Sequence, residues 1–286
     1  MRQTDSRHLH HSQRRALSWA ISGALVGLFF ALVSLAPAFW LSLALRLITH
    51  EQVLLLRPLG TVWKGSAQLA LSSGPKSQQA LGLPTRIEWN ISPLWLGAGD
   101  QNAGVLSHLK TDPLTLLLEL QAPCCLEQSF SLTLKPEGLG LTITPQNAEI
   151  KLPAHWLEGL GAPWNTLQPK GLLSLQTHNV QVLLDHHAVT AKGVLELKID
   201  QLSSRLSTVK PLGSYRVLFN AQSSPQIELS SLAESRLILK GQGQWTGGRL
   251  HFEGLADTAP ADEETLSNLL NVLGQRNGHQ ASLKID

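Results

Sequence analysis

The residues that could carry chemistry are few and poorly assembled for it. Cys124 and Cys125 are neighbours and are the chain's two cysteines. Adjacent thiols can close a ring on themselves, remain as two small buried thiols, or bond to another chain. The local disulfide is the reading taken, as a lock on the turn after Pro123. Asp185 precedes His186 and His187, but neighbours on a strand point to opposite faces and do not readily share one ion. His8, His10 and His11 lie in a polar, arginine-bearing tail and read as solvated. The sequence has no Gly-rich phosphate loop, no paired metal-ligand spacing and no nucleophile–His–acid frame. Carboxylates stand singly on polar faces. The expectation is a protein that is not an enzyme, with no catalytic residues, metal or cofactor.

What those residues lack in chemistry, the elements around them supply as architecture. The chain of 286 residues has 23 Lys+Arg against 21 Asp+Glu. Arg2, Arg7, Arg14 and Arg15 crowd the first fifteen residues against Asp5 alone, which leaves 18 basic and 20 acidic side chains from residue 47 onward. A nearly neutral body has no electrostatic footprint for nucleic acid, which needs a concentrated field of Lys and Arg. Charged residues are 15% of the chain, against a usual figure of about 25%, with Ser, Thr, Gln, Leu and Gly in their place.

Residues 16–36 carry no charge, and a helix of that length spans the roughly 30 Å hydrocarbon core of a bilayer. Apolar residues continue past Pro37 to Leu45 before Arg46 interrupts them. The Arg14-Arg15 pair places the preceding end in the cytoplasm by the positive-inside rule. Trp19 and Trp40 stand at the two edges of the run, where indoles favour the membrane interface. Ala36-Pro37-Ala38 resembles a signal-peptide cleavage site, but the run is longer than the usual apolar region of such a peptide. The division expected is therefore a basic cytoplasmic tail over 1–15, a transmembrane anchor over 16–45 and an extracytoplasmic β domain over 46–286. The six tryptophans of that last segment are expected in its core.

Beyond residue 50 the dominant period is two. Phe130, Leu132 and Leu134 alternate with Ser131, Thr133 and Lys135; after a Pro136-Glu137-Gly138 turn, Leu139, Leu141 and Ile143 alternate with Gly140 and Thr142. Leu195 to Asp200 and Leu250 to Glu253 repeat the pattern. Turn residues recur at Ser73-Gly74-Pro75, from Gly97 to Gly99, at Ser223-Ser224-Pro225 and at Gly247-Gly248. Such spacing predicts a mainly β fold, a largely antiparallel sheet with one or two short helices. The helices are expected at Ala154 to Leu160, introduced by Pro153, and at Asp262 to Leu273. In the second, acidic residues fill the first turn, Leu266, Leu269, Leu270 and Leu273 form one stripe, and Gly274 stops it.

One pattern occurs twice. Gly60-Thr61-Val62-Trp63-Lys64-Gly65 leads into Gln68 to Leu71, and Gly243-Gln244-Trp245-Thr246-Gly247 leads into Arg249 to Phe252. A buried Trp, a Gly-assisted turn and an alternating strand would serve both copies.

Taken together, these segments resemble type II secretion system protein N of the β-proteobacterial type. The resemblance rests on the anchor, Gly60 to Ala67 with Trp63 and Gly65, Arg86 to Trp89, the Cys124-Cys125 pair, and Pro163 to Gly171 with Trp164. It continues through Ser203 to Thr208, Leu212 to Tyr215 with Gly213, Gly241 to Trp245 with Gly243, and Leu266 to Gly274 with Leu269 and Leu270. It implies a bitopic protein of the inner membrane with a periplasmic domain and an AsmA-like sheet, curved into a groove or half-pipe. It implies an accessory of the machine that exports folded proteins, docked on inner-membrane platform or outer-membrane channel components, and brings no catalytic residues. The rival expectation, from the AsmA-like kinship, is a concave apolar face that holds or transfers membrane lipid. Leu132, Leu134, Leu141 and Ile143 discriminate between the two by being covered or left open.

Overall fold

The computed structural model describes residues 6–75, 77, 80–93, 114–138, 140–185, 189–222, 224–246 and 249–285, with side chains from Trp19 onward except at residue 189. The turn from Gly97 to Gly99, His186, His187, Leu139, Ser223 and Gly247-Gly248 therefore lie outside the described residues, as does Trp95. Two helices come first: α1 (Ser6–Ser34) and α2 (Ala38–Ile48). Pro37 separates them. It has no N–H to continue a helix, and it disfavours helical backbone at the residue before it. The apolar run 16–45 is thus not one continuous helix. The long helix stops at Ser34, and the apolar residues beyond Pro37 form a second helix that packs on the sheet. Among the described residues, which leave out the side chains of 6–18 in α1, no helix is long and apolar enough to cross a membrane.

The rest is one open antiparallel sheet. Its first half comprises β1 (Val53–Gly60), β2 (Lys64–Ser72), β3 (Ala80–Gly82), β4 (Ile87–Pro93), β5 (Leu116–Gln121), β6 (Phe130–Glu137), β7 (Gly140–Pro145) and β8 (Glu149–Pro153). Its second half comprises β9 (Lys170–Leu184), β10 (Val189–Ser203), β11 (Gly213–Asn220), β12 (Gln226–Ser231), β13 (Leu237–Thr246), β14 (Arg249–Thr258), β15 (Gln275–Asn277) and β16 (Gln280–Ile285). Neighbours in sequence are mostly neighbours in space, in the order β1-β2-β4-β5-β6-β7-β9-β10-β11-β12-β13-β14-β16-β15. β3 adds to β2, and β8 shares an edge of β9 with β7. The fifteen-residue strands β9 and β10 form the longest ladder, interrupted by bulges between Lys192 and Val194 and between Asp200 and Ser203.

Direct partners in an antiparallel ladder project to the same face, so the register carries the apolar set across the sheet. Ile150 pairs with Leu175, Leu175 with Leu197, Leu197 with Val217, and Val217 with Leu229. The row continues through Gly241 and Gly254 to Leu283. In the first half, Gly65, Trp89, Leu120 and Phe130 form a similar row. The β6–β7 hairpin turns later than the sequence suggests. Glu137 pairs with Gly140, and Pro136 lies inside β6 opposite Leu141. Pro136 is tolerated because β6 has already left β5 there, so its missing N–H faces no second partner.

Helical segments cover this face in three places. α2 caps a cluster of Ala38, Leu55, Ala67 and Trp89. The 3-10 turn Ala154–Leu160 brings Trp156 over Leu71, Leu83, Ala122 and Cys125. Near the C-terminal end, α4 (Glu263–Leu273) buries Leu266, Leu269 and Leu270 against Leu237, Ala256 and Ala281. A single helical turn, α3 (Trp164–Leu167), contributes Leu167 to the edge of that cluster.

Candidate functional site

Four of the motif residues meet at the junction between the helices and the sheet. Gly60 and Gly65 face each other across the β1–β2 turn. Gly60 has φ +87°, a region that favours glycine. A Cβ on Gly65 would lie 2.6 Å from Trp89 Cζ2 and 2.6 Å from the Leu59 carbonyl oxygen. The absent side chain is what lets the Trp89 ring close against the turn. Trp89 is buried and its Nε1 donates to the Val62 carbonyl at 3.0 Å. Trp63, at the turn's tip, donates from Nε1 to the carbonyl of Val33 in α1 at 2.8 Å. The Val62 N–H donates to the Ala36 carbonyl at 2.8 Å, and Pro37 bridges to Thr61. The turn thus clasps the end of one helix and the start of the next. On α2, Ser42 donates to the Leu55 carbonyl at 2.9 Å, while Arg46 pairs with Glu51 at 2.6 Å.

Of the other motif residues, Leu269 and Leu270 belong to the core under α4, with Trp164 at its edge. Tyr215 is fully buried, and its hydroxyl donates to the Leu237 carbonyl at 2.9 Å. Burial pushes its pKa well above the ordinary range. Gly213, with φ +154°, leaves room for Ser235, whose hydroxyl accepts from the Ser214 N–H at 3.1 Å. Trp164, Leu212, Leu269 and Leu273 line an apolar cavity of about 70 Å³. That is far below the roughly 300–1,000 Å³ of ligand pockets, so it is a packing gap rather than a substrate site. Gly241, Gly243 and Gly254 have a shared reason to lack side chains. The ring of Phe252 lies across all three, 3.0 Å from where a Gly243 Cβ would stand. The other face of β12 to β14 is a broad trough of about 1140 Å³ with a lining that is polar and apolar in equal measure, Glu228, Lys240, Gln242, Glu253 and Leu255 among it.

Two expectations about tryptophan are corrected. Trp245 is 38% exposed, packed edge-on against Phe219, and Trp164 is 36% exposed. Trp63 is half-buried, so among the described residues beyond α2 only Trp89 and Trp156 are core. The two similar motifs also differ in structure, since Trp63 sits in a turn whereas Trp245 lies inside β13. Alternating sequence fixed neither outcome, because burial depends on what covers the face.

The chemistry is sparse. Cys124 and Cys125 are disulfide-bonded to each other in the turn after β5, with Cys125 buried beside Trp156. Among the described residues no three His, Cys, Asp or Glu side chains are grouped to hold a metal ion. The Glu127 carboxyl is held below its ordinary pKa by the hydrogen bond and charge of Lys151, which is raised in turn. This is a solvent-exposed ion pair and not a poised acid or base.

The comparison with known families decides the identity. The model of type II secretion system (T2SS) protein N matches residues 51–283. The chain belongs to the type II secretion system protein N family. The matched span runs from just before β1 into β16 and includes α4. A protein N is a component of the secretion machinery, which makes this chain an accessory of type II secretion and places its partners among the other components of that machine. No curated protein and no solved structure matches the chain.

Proposed function

We propose that the chain is a non-catalytic scaffold of type II secretion, held in the inner membrane by α1 with its sheet in the periplasm, docked on periplasmic parts of the machine. The family match over residues 51–283, which covers nearly all of the sheet, is the observation that supports this reading. The anchor is supported by the uncharged run 16–36 and by the outward exposure of Trp19, Leu25, Phe29, Phe30 and Leu35. Arg14 and Arg15 orient it with the N-terminus in the cytoplasm. Confinement at the membrane raises the effective concentration of the sheet near the platform. Docking would use an open strand, since unpaired backbone is a template for another chain. At the C-terminal edge, β15 is a three-residue strand that pairs with β16 from Gln280 to Ser282.

Mild-detergent affinity purification of the full chain from its native host, with mass spectrometry of proteins and lipids together, tests the scaffold. Stoichiometric recovery of platform or outer-membrane channel components is the expected result. A second reading, an AsmA-like sheet that holds lipid, is favoured by one observation. Leu132, Leu134, Leu141 and Ile143 are half-buried and belong to none of the three covered clusters. Phospholipid retained by the sheet without machine components would replace the scaffold with that reading.

A further inference from the structure

The helix α2 has two apolar faces, and the sheet covers one of them. Ala38, Leu41 and Leu45 pack against Leu55, Ala67 and Trp89. Phe39, Trp40, Leu43, Leu47 and Ile48 point the other way and are between 43% and 77% exposed. An exposed apolar patch of this kind marks a surface that meets something other than water.

Where α2 lies relative to α1 identifies the occupant. Only Leu35, Ala36 and Pro37 separate the two helices, and three residues reach about 10 Å even when fully extended. That short connection is also tied down by the hydrogen bonds from Trp63 to Val33 and from Val62 to Ala36. An α1 that crosses the bilayer therefore delivers α2 into the headgroup layer, apolar face outward. Trp40 suits that layer, with an apolar ring and one N–H for the wet side. Arg46 is the one charged side chain of α2, and Glu51 neutralises it at 2.6 Å.

We propose that α2 lies in the plane of the membrane interface, its Phe39, Trp40, Leu43, Leu47 and Ile48 face in lipid, and sets the sheet at a fixed orientation on the bilayer. This rests on the reading of α1 as the span. The sheet is then mounted rather than loosely tethered, with the Trp63 turn as its clasp. Because the α2 face is uncharged, lipid contact comes from apolar insertion and is insensitive to salt and to anionic lipid.

The test uses the full chain reconstituted in phosphatidylethanolamine–phosphatidylglycerol vesicles. An environment-sensitive fluorophore is attached to Leu43→Cys or Leu47→Cys, with Gly27→Cys in α1 and Gln242→Cys on the sheet as references. Gly27 has open space for the change. Lipids carrying a quencher at shallow or deep acyl positions report depth. The expected result is blue-shifted emission at 43 and 47, quenched severalfold more by the shallow than by the deep quencher. Position 27 is expected to be quenched most by the deep one and 242 by neither, all unchanged in molar salt. If 27 is quenched deeply while 43 and 47 remain accessible to an aqueous quencher, the interfacial helix is overturned and the anchor stands. If 43 and 47 are shielded from both lipid and aqueous quenchers, another copy of the protein covers them, which also overturns it. If 27 is unquenched by lipid, the anchor reading itself has failed.

Discussion

Tyr215 is the chain's single tyrosine, which makes it a private probe of the C-terminal half of the sheet. Its hydroxyl is buried and bonded to the Leu237 carbonyl, and burial holds its proton above the ordinary range. The folded state therefore binds that proton at a pH where the unfolded chain has released it. Stability from this group is complete below about pH 10 and falls as pH rises above it, by about 1.4 kcal/mol per pH unit. Tyrosinate absorbance is expected to appear together with unfolding; its appearance near pH 10 in a folded protein would contradict the burial. Tyr215→Phe is expected to cost about 0.5–1.5 kcal/mol at neutral pH and to remove this tyrosine's share of the alkaline loss, read from denaturant midpoints. At the other end of the sheet, Gly65→Ala forces a methyl into the Trp89 ring and the Leu59 carbonyl. Overpacking of this kind costs about 1–3 kcal/mol, and an unchanged denaturant midpoint would mean that the turn and the ring are not in contact.

The elements are held by one covered face each, and their substitutions should sort accordingly. In α4, Leu270 is fully buried while Val272 is largely exposed. Leu270→Ala is expected to lose about 2–5 kcal/mol by leaving a cavity, and Val272→Ala to stay within about 0.5 kcal/mol, both by chemical denaturation. Similar losses from the two would mean that the helix does not pack by the face described. Glu263 and Glu264 occupy the first turn of α4 and suit its positive end. Arg236 clasps Asp262 just before it through two hydrogen bonds of 2.8 and 3.1 Å. The β1–β2 turn and the Phe252 glycines show a different device, in which the small residue matters for the aromatic ring it admits. Gly65 and Gly243 stand in the repeated sequence motif, and the reason for each is a neighbour on another strand.

Across the whole molecule, stability should fall from the middle of the sheet to its ends. β9 and β10 share the longest ladder and are paired on both outer sides, by β7 and β8 on one and by β11 on the other. β15 is three exposed residues paired only with β16. Hydrogen exchange by mass spectrometry is expected to find the greatest protection in 172–183 and 194–199 and the least in 275–277, since local opening follows pairing and buried apolar contact. Uniform protection along the sheet would point to a single cooperative unit instead.

Chain-local signals were legible in the sequence. The period of two, the Pro153 entry to a short turn, the stripe and stop of α4 and the spread of motifs defined a mainly β antiparallel sheet and the protein N family. Alternation also assigned each strand two faces. It could not say which of those faces a helix would cover, because that depends on residues far along the chain. Tertiary structure decided that Pro37 splits the apolar run and turns its second part onto the sheet. It decided as well that Trp245 and Trp164 remain open, and that Gly60, Trp63, Gly65 and Trp89 meet α1 at one clasp. Each of these outcomes is set by a ring, a carbonyl or a covering helix brought from elsewhere in the fold, and no periodicity within a strand encodes that approach.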